Sequence, residues 1–329
     1  MKPLVSVLLP VYNGAAYLEG AIESVLAQDY PNFELIIADN ASTDETPGII
    51  AAFSDDRRLT VIRTKQTVPR LENFRLVFDA AARESRWFKY IGDDDRLLPG
   101  CLSEMVEAGE RDDRVGLVCS YYYNGDELIR GVIPAGVNLV RGPELLKRLL
   151  VEPEARSTVF SPTSVLIKPQ VYRATGGFRT DLLHADAELF YRILNGYDLA
   201  YVHKPLTRIG YHGASGQAIS TAEGDTFAEA YLIRYHNLKI YDMIKLSSLE
   251  KEKIKFNLVS DSFGFMLGCL ARRQWRKALK HLRVIPAGAL WHLPLSLVYF
   301  TFLAVKKLWR GEKVKLLAEA EKSGGSADV

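Results

Sequence analysis

Short apolar runs alternate with segments of helical spacing over the first third of the chain, and this alternation constrains the fold more than any other feature. Leu4 to Leu9, Phe33 to Ala38 and Trp87 to Ile91 are predicted to be buried strands, because continuous apolar runs of this kind are typical of strands covered on both faces. Between them, Gly14 to Gln28 and Leu71 to Ala82 carry apolar residues at helical spacing. Strands that alternate with helices predict an α/β fold with a mostly parallel sheet flanked by helices.

The alternation of strands and helices continues along the chain and is followed by a region with a helical pattern only. Further helices are predicted at Thr43 to Phe53, Pro99 to Glu110, Pro143 to Leu150 and Asp186 to Leu194, and further strands at Leu59 to Ile62, Val115 to Tyr123, Thr163 to Ile167 and Leu199 to Val202. Ser42 or Thr43 is expected to cap the helix that follows. From Thr226 the pattern is helical, so we expect a catalytic domain over residues 1–225 and a helical C-terminal region over residues 226–329.

The C-terminal region carries the positive charge of the chain. Met1 to Leu238 has 25 basic and 32 acidic residues, whereas Lys239 to Val329 has 17 basic and 8 acidic residues. Within it, Val284 to Val305 is about as long as a membrane span but is interrupted by two prolines and flanked by basic residues. This order predicts peripheral contact with an anionic membrane. A helical hairpin packed on the main domain, or a contact in a homodimer, is the alternative, and no nucleic-acid partner is expected.

Neither the amino terminus nor the cysteines indicate export. The first apolar run is too short for a secretory leader. Cys101, Cys119 and Cys269 are odd in number and lack the spacing of a disulfide framework or a zinc site. We therefore expect a cytoplasmic protein with reduced thiols.

An acidic run follows the strand that ends at Ile91. Asp93 and Asp95 are separated by one residue, so both carboxylates can face a divalent cation and its phosphate ligands. The carboxyl edge of a parallel sheet is also where such folds bind ligands. An acidic turn that caps the helix at Pro99 would have the same sequence. The metal interpretation gains support because Pro10 to Asn13 and Asp39 to Asp44 follow two other predicted strands at the same edge.

Five segments in order resemble the family 2 glycosyltransferases of the GT-A fold. They are PVYNGAAYLEGAIESVLAQ, ADNASTDET, ENFRLVFDAA, KYIGDDDRLLPG and GGF followed by Asp186, and the resemblance covers residues 3–220. It implies a GT-A α/β domain that moves a sugar, with inversion, from a nucleoside-diphosphate donor to a hydroxyl. A UDP- or dTDP-sugar donor, a glycan or lipid-linked acceptor of the bacterial envelope, and a place at the cytoplasmic face of the inner membrane are the expectations that follow.

The resemblance also assigns residues to the nucleotide sugar. Pro10 and Tyr12 match the turn that contacts the nucleotide, and Asp39 matches the aspartate that accepts a hydrogen bond from the base. Asn40 departs from the more frequent second aspartate, although an amide can still bond a ribose or base. Arg70 lies where the family has a residue near the nucleotide, with Asn73 either close to it or capping a helix.

The same resemblance assigns separate roles to the three aspartates of the acidic run. Asp93 matches an aspartate close to the ribose and sugar, and Asp94 is grouped with it as a solvated or backbone-capping neighbour. Asp95 matches the ligand of Mn²⁺ or Mg²⁺, which would offset the charge of the leaving diphosphate. His212 resembles a late histidine that approaches the metal or diphosphate, although a lone histidine is more often structural.

Asp186 is the predicted catalytic base, because it matches the family aspartate at the start of a helix. It would take the proton of the acceptor hydroxyl. The glutamate that often precedes it is Ala185 here, so Glu188 competes for the role, although an ion pair with Arg192 four residues on is its simpler explanation.

Two other classes of protein compete with this interpretation. A dinucleotide-binding oxidoreductase or a sugar nucleotidyltransferase would have a glycine-rich loop after the first strand, which Pro10 to Gly14 lacks. A non-catalytic sugar-nucleotide-binding or scaffold protein of the same fold stays open, because Ala185 departs from the family pattern. The sequence does not separate that alternative from an enzyme.

Overall fold

The predicted alternation of strands and helices gives the central sheet of the protein. The structure is a computed structural model that describes residues 2–152, 160–179, 182, 184–210, 241 and 243–271. Among these residues the sheet has ten strands in the order β3-β2-β1-β4-β9-β6-β10-β5, with β7 paired to β6 and β8 paired to β10. The strands are β1 Val5–Val11, β2 Phe33–Asp39, β3 Leu59–Arg63, β4 Trp87–Tyr90, β5 Arg96–Leu97, β6 Val115–Asn124, β7 Glu127–Ile129, β8 Leu139–Val140, β9 Val165–Ile167 and β10 Asp198–Ile209.

Helices cover this sheet on its faces, as the sequence predicts for an α/β fold. They are α1 Leu18–Leu26, α2 Thr46–Ala52, α3 Arg70–Asp79, α4 Cys101–Gly109, α5 Gly142–Val151, α6 Pro169–Ala174 and α7 Ala185–Gly196. A further helix, α8 Ser248–Ala271, belongs to the second of two compact units. Strands β1 to β4 pair in parallel, as do β6 and β10. Strand β9 lies antiparallel between β4 and β6, and the short strands β5, β7 and β8 also pair antiparallel with their neighbours. The predicted α/β class is confirmed, with a mixed sheet whose longer strands pair in parallel.

Burial follows the apolar runs. All seven residues of β1 are buried. Alternate residues of the strand, from Val5 to Val11, pack with Leu18, Ile22 and Val25 of α1 in one core cluster that also holds Trp87 and Met105. Apolar area removed from water is the main favourable term in forming such a core. The strand ends are therefore fixed by a dense core directly below them.

The loop after β2 differs from its prediction. The following helix begins at Thr46 and not at Thr43, and Asp44 Oδ1 accepts a hydrogen bond from the Thr46 amide at 3.0 Å. Ser42 and Thr43 form hydrogen bonds with Asn13 of the neighbouring turn. The expectation of a Ser42 or Thr43 cap was therefore wrong.

The chain divides into two compact units, Met1–Ala222 with His236–Leu246 and Glu223–Tyr235 with Ser247–Val329. Of the second unit the structure describes α8. No helix within the described ranges has both the length and the apolar character that spanning a bilayer requires. The predicted membrane-associating segment 284–305 and its basic flanks lie outside the described residues.

Candidate functional site

Three polar turns meet at the carboxyl edge of the sheet. Strand β1 is paired with β2 on one side and with β4 on the other, all in parallel. Tyr12 to Gly14, Asn40 to Asp44 and Gly92 to Asp95 therefore leave the sheet side by side. Ligands of parallel α/β sheets bind at this edge. The structure thus brings together the three segments that the sequence singled out.

Hydrogen bonds join the first two turns directly. The Asn13 amide donates to Ser42 Oγ at 2.9 Å, and the Thr43 amide donates to Asn13 Oδ1 at 2.9 Å. The Gly14 amide donates to Thr46 Oγ1 at 2.9 Å. Asn13 and Ala41 adopt left-handed backbone angles, with φ of 52° and 54°, which non-glycine residues keep only where surrounding contacts hold them. The turns thus form a pre-shaped rim, from which the half-exposed Tyr12 projects.

Asp39 lies in the floor of this rim and is paired with an arginine. Its side chain is 1% exposed; Oδ1 accepts a hydrogen bond from the Ser42 amide at 3.0 Å, and Oδ2 lies 2.8 Å from Arg63 Nη1. Arg63 also donates to the Ser42 carbonyl at 2.9 Å. A carboxylate beside a guanidinium group presents an acceptor and a donor together. The pair suits the edge of a nucleobase that has an N–H next to a carbonyl.

Asn40 has a structural role in this turn. Its Nδ2 donates to the Val68 carbonyl at 2.9 Å, and its Oδ1 accepts from the Val68 amide at 2.8 Å. The side chain is 4% exposed, so it holds the loop before α3. These contacts disfavour a direct contact between Asn40 and a nucleotide. The nucleotide-binding role of Asn40 stays a prediction.

The start of α3 lies close to the acidic turn. Arg70 is exposed at the first position of the helix, and its guanidinium lies 5.4 Å from the ring centroid of Phe74. Phe74 stacks on Tyr90 at 5.0 Å, immediately before the acidic turn. Burial and the neighbouring aspartates raise the pKa of Tyr90, and Arg70 opposes that increase. Asn73 is buried and donates to the Ala38 carbonyl at 3.0 Å, so it joins α3 to the sheet and does not cap it.

Asp93 and Asp94 are the partly exposed members of the acidic turn. The Asp93 carboxylate lies against Gly14 so closely that any side chain at position 14 would collide with it. Asp94 lies equally close to Gly210, at the end of β10. Asp93 therefore faces the rim beside Tyr12, and Asp94 lies beside Gly210. His212 itself lies outside the described residues.

Asp95 has a different environment, because protein donors engage both of its oxygens. Oδ1 accepts from the Gly210 amide at 2.9 Å, and Oδ2 accepts from the Gly92 amide at 3.2 Å and from the Thr163 hydroxyl. The residue is 5% exposed. Burial, with a smaller contribution from Asp94, raises its pKa to about 6. The predicted role of Asp95 as the metal ligand stays a prediction, and these contacts favour a role in shaping the turn.

The residues at this edge fit a metal that is shared with a bound diphosphate. Among the described residues no group of three or more metal-ligating side chains forms a closed site. Mg²⁺ and Mn²⁺ prefer oxygen ligands, and Mg²⁺ is usually held by one or two carboxylates together with substrate phosphates. Asp93 and Asp94 supply such carboxylates at the rim.

The start of α7 carries the predicted catalytic base. Asp186 lies in the first helical turn and is partly exposed. Glu188 is fully buried and forms an ion pair with Arg192 at 2.6 Å. Arg192 also donates to the carbonyls of Thr175 and Gly177. The structural explanation of Glu188 is confirmed, and Asp186 is the carboxylate of this helix that solvent can reach.

Sequence reasoning missed several residues of the site. Arg63 is paired with Asp39 by sheet register, and extending the third predicted strand by one residue would have identified it. Thr163 and Gly210 approach the acidic turn from distant parts of the chain, and Lys89, in the strand before that turn, donates to the Thr163 carbonyl. No local pattern marks them, because each acts through a long-range contact.

The chain matches a family profile over most of this site. Residues 6–151 match the family described as Glycosyl transferase family 2. The strand-end turns lie in that range, whereas Asp186 lies beyond it. Over this range the chain is similar to that family, and its fold is of the GT-A type.

Relatives of similar sequence cover parts of the chain. The Uncharacterized protein MT1568 of Mycobacterium tuberculosis is 27% identical over 205 residues, which is 59% of this chain and 62% of that protein. The putative teichuronic acid biosynthesis glycosyltransferase TuaG of Bacillus subtilis is 32% identical over 32% of this chain and 42% of its own length. The chain thus spans less than two thirds of the length of these relatives.

Solved structures show the same fold at low sequence identity. S. aureus TarS 1-349 in complex with UDP-GlcNAc gives a TM-score of 0.62 at 18% identity over 87% of this chain and 82% of that chain. The mannosyltransferase PcManGT from Pyrobaculum calidifontis, in complex with GDP-Man and Mn2+, gives 0.56 at 19% identity over 100% of this chain and 89% of that one. Both matches confirm the fold.

Proposed function

We propose that the protein is an inverting glycosyltransferase that moves a sugar from a nucleoside-diphosphate donor to a hydroxyl of a glycan or lipid-linked acceptor, with Mn²⁺ or Mg²⁺. The observation that carries this proposal is the convergence of the turns after β1, β2 and β4, with the Asp93 carboxylate against Gly14. Such a rim offers a base-reading pair, backbone amides and carboxylates within one small area. The match of residues 6–151 to the Glycosyl transferase family 2 model supports the same chemistry.

The nucleotide would bind along the rim in a definite direction. Asp39 and Arg63 would read the base, with Tyr12 and Pro10 beside it. Asp93 would contact the ribose or sugar, because it faces the β1 turn. Arg70 would pair with a phosphate, since its cationic group is exposed close to the acidic turn. A uracil, thymine or guanine edge provides the N–H and carbonyl that Asp39 and Arg63 would bind.

The metal would be held at the acidic turn by Asp94 with Asp93, and His212 is a further candidate. This assignment replaces Asp95, whose oxygens accept three protein hydrogen bonds. A bound divalent cation would offset the negative charge that develops on the diphosphate as the sugar leaves.

Asp186 would act as the general base. The acceptor O–H would give its proton to the Asp186 carboxylate while the oxygen bonds to the anomeric carbon and the bond from that carbon to the diphosphate breaks. Attack from the face opposite the diphosphate inverts the configuration. Glu188 is unsuited to this role, because Arg192 pairs with it in a fully buried position.

The similar proteins indicate the class of donor and acceptor. TarS was solved with UDP and with UDP-GlcNAc, PcManGT with GDP-Man and Mn2+, and TuaG is named for teichuronic acid biosynthesis. We infer a UDP- or dTDP-sugar donor, an acceptor of the bacterial cell envelope, and peripheral attachment to the cytoplasmic face of the inner membrane through the basic C-terminal region.

The decisive experiment separates binding from turnover. UDP, dTDP, GDP and their sugars are screened by thermal shift with and without MnCl₂, since a ligand that binds only the folded state raises the midpoint. Donor hydrolysis or transfer is then measured with the ligand that binds. Mn²⁺-dependent binding that Asp94→Asn abolishes, together with turnover, is expected. Binding without turnover would favour the non-catalytic alternative, and no binding would contradict both.

A further inference from the structure

A fully buried lysine lies beneath the acidic turn. Lys89 in β4 is 0% exposed. Its Nζ donates to the Thr163 carbonyl at 2.5 Å and lies 3.4 Å from Met105 Sδ. Among the described residues no carboxylate forms an ion pair with it. Burying an ammonium group without a paired anion is strongly unfavourable. Lys89 is therefore expected to destabilise the core in which it lies.

Thr163 links this lysine to the acidic turn. The residue is 1% exposed; its carbonyl accepts from Lys89, and its hydroxyl donates to Asp95 Oδ2. Asp95 Oδ1 in turn accepts from the Gly210 amide. One connected set of hydrogen bonds thus runs from β4 through Thr163 to the acidic turn and to the end of β10.

Burial lowers the pKa of Lys89, and Cys101, Cys119 and, to a smaller extent, Asp95 oppose that decrease. The lysine and the aspartate are therefore close enough for their charges to interact, with Thr163 between them. A buried ammonium group and a buried carboxylate joined through one residue hold that residue in a fixed orientation.

We propose that Lys89 is a positioning residue of the metal and diphosphate site. It fixes Thr163 so that the Thr163 hydroxyl holds Asp95, and Asp95 in turn sets the backbone that presents Asp93 and Asp94. This proposal rests on the function proposed above, because it assigns the metal and diphosphate to that turn.

A second buried lysine provides a matched control. Lys168 is 1% exposed, its Nζ donates to the Asp113 carbonyl at 2.9 Å, and it lies 5.7 Å from the ring centroid of Trp87. Like Lys89, it gives a hydrogen bond to a backbone carbonyl from a buried position. Trp87 is at the opposite end of β4 from the acidic turn, so Lys168→Met removes a comparable group at a distance.

The experiment compares Lys89→Met and Lys168→Met in two measurements. Amide hydrogen exchange of Gly92 and Gly210 in the ligand-free protein reports on Asp95 directly. Mn²⁺ affinity, measured by electron paramagnetic resonance with UDP, dTDP or GDP, whichever binds the wild type, reports on the site. We expect exchange at both glycines to quicken roughly tenfold and Mn²⁺ binding to weaken roughly tenfold in Lys89→Met, the scale of a lost hydrogen bond to a charged group. Lys168→Met is expected to leave both unchanged.

A lysine that served only the stability of the core would lower the unfolding midpoint when it is replaced. Methionine removes a buried charge, so the unfolding midpoint of Lys89→Met should equal or exceed that of the wild type. Thr163→Val should quicken the same amides, and Thr163→Ser should restore them, because serine keeps the hydroxyl. Lys89→Gln keeps an N–H donor and should lie between lysine and methionine.

Each contrary result has a separate meaning. Unchanged exchange at Gly92 and Gly210 in Lys89→Met, or an equal effect of Lys168→Met, would overturn the positioning role. Failure of both Lys89→Met and Lys89→Gln to fold would also overturn it, because the lysine would then be required by the core itself. A wild type that binds no Mn²⁺ with any of the three diphosphates would contradict the proposed function, while the exchange measurement would still decide the role of Lys89.

Discussion

The two sides of the candidate site are held by different kinds of contact. On the donor side, defined as the turns at residues 12–14, 40–44 and 92–95, backbone amides donate to side chains of the neighbouring turn, of the start of α2 and of the same turn. On the acceptor side, defined as the turn at residues 175–178 and α7, one buried ion pair and the two carbonyls it reaches make the connection. Substitutions on the donor side should therefore change ligand binding, and those on the acceptor side should change catalysis or stability.

The largest effect is expected at Asp186. Asp186→Asn keeps the size and the helix position but cannot take a proton, so kcat should fall about a hundredfold to ten-thousandfold. The midpoint shift that the donor and MnCl₂ produce should match that of the wild type. If the variant keeps most of its kcat, Asp186 is not the general base. If it loses donor binding, the two sides do not differ in the way proposed.

The next effect concerns the ion pair below Asp186. Arg192→Met leaves the Glu188 carboxylate buried without its partner, and breaking a buried pair in this way costs about 3–5 kcal/mol. Urea unfolding measures the loss. Arg111→Met is the control, because its i,i+4 pair with Glu107 is exposed and such pairs are worth less than about 1 kcal/mol. Similar losses in the two variants would show that burial does not distinguish the acceptor side.

A pH dependence is expected on the donor side, at Asp95. Its folded-state pKa is raised from 3.8 to about 6, so the folded protein holds more protons than the unfolded chain between these values. Stability should therefore fall as the pH rises from about 4 to about 6 and then stay level, by about 2–3 kcal/mol in all. Urea unfolding of the metal-free protein against Asp95→Asn measures this. The difference between the two should lose its slope above about pH 6, and a flat difference throughout would contradict the shift.

The same comparison explains how much the sequence could predict. Strand ends such as Asp39 and the acidic turn were found because apolar runs place them at one edge by local pattern alone. Strand β9 was expected, but its antiparallel place between β4 and β6 depends on pairing across the chain. Thr163 and Gly210 reach Asp95 from 68 and 115 residues away. For that reason the residue chosen from sequence as the metal ligand proved to be the most enclosed of the three aspartates.

The smallest effect is expected at Arg63 on the donor side. The arginine is 48% exposed while Asp39 is 1% exposed, so solvent screens the pair, and its loss should change the free energy of unfolding by no more than about 1 kcal/mol. Binding is expected to respond more strongly. Without the guanidinium group the base loses a donor, and affinity for the preferred diphosphate should fall about threefold to tenfold.

Isothermal titration of Arg63→Met measures that affinity, and Arg75→Met provides its control, because the pair of Arg75 with Asp79 is exposed on both partners. Unchanged affinity in Arg63→Met would exclude this arginine from the base-reading pair. A loss of stability much larger than the loss of affinity would show that the donor side, like the acceptor side, depends on a single ion pair, and the contrast between the two sides would fail.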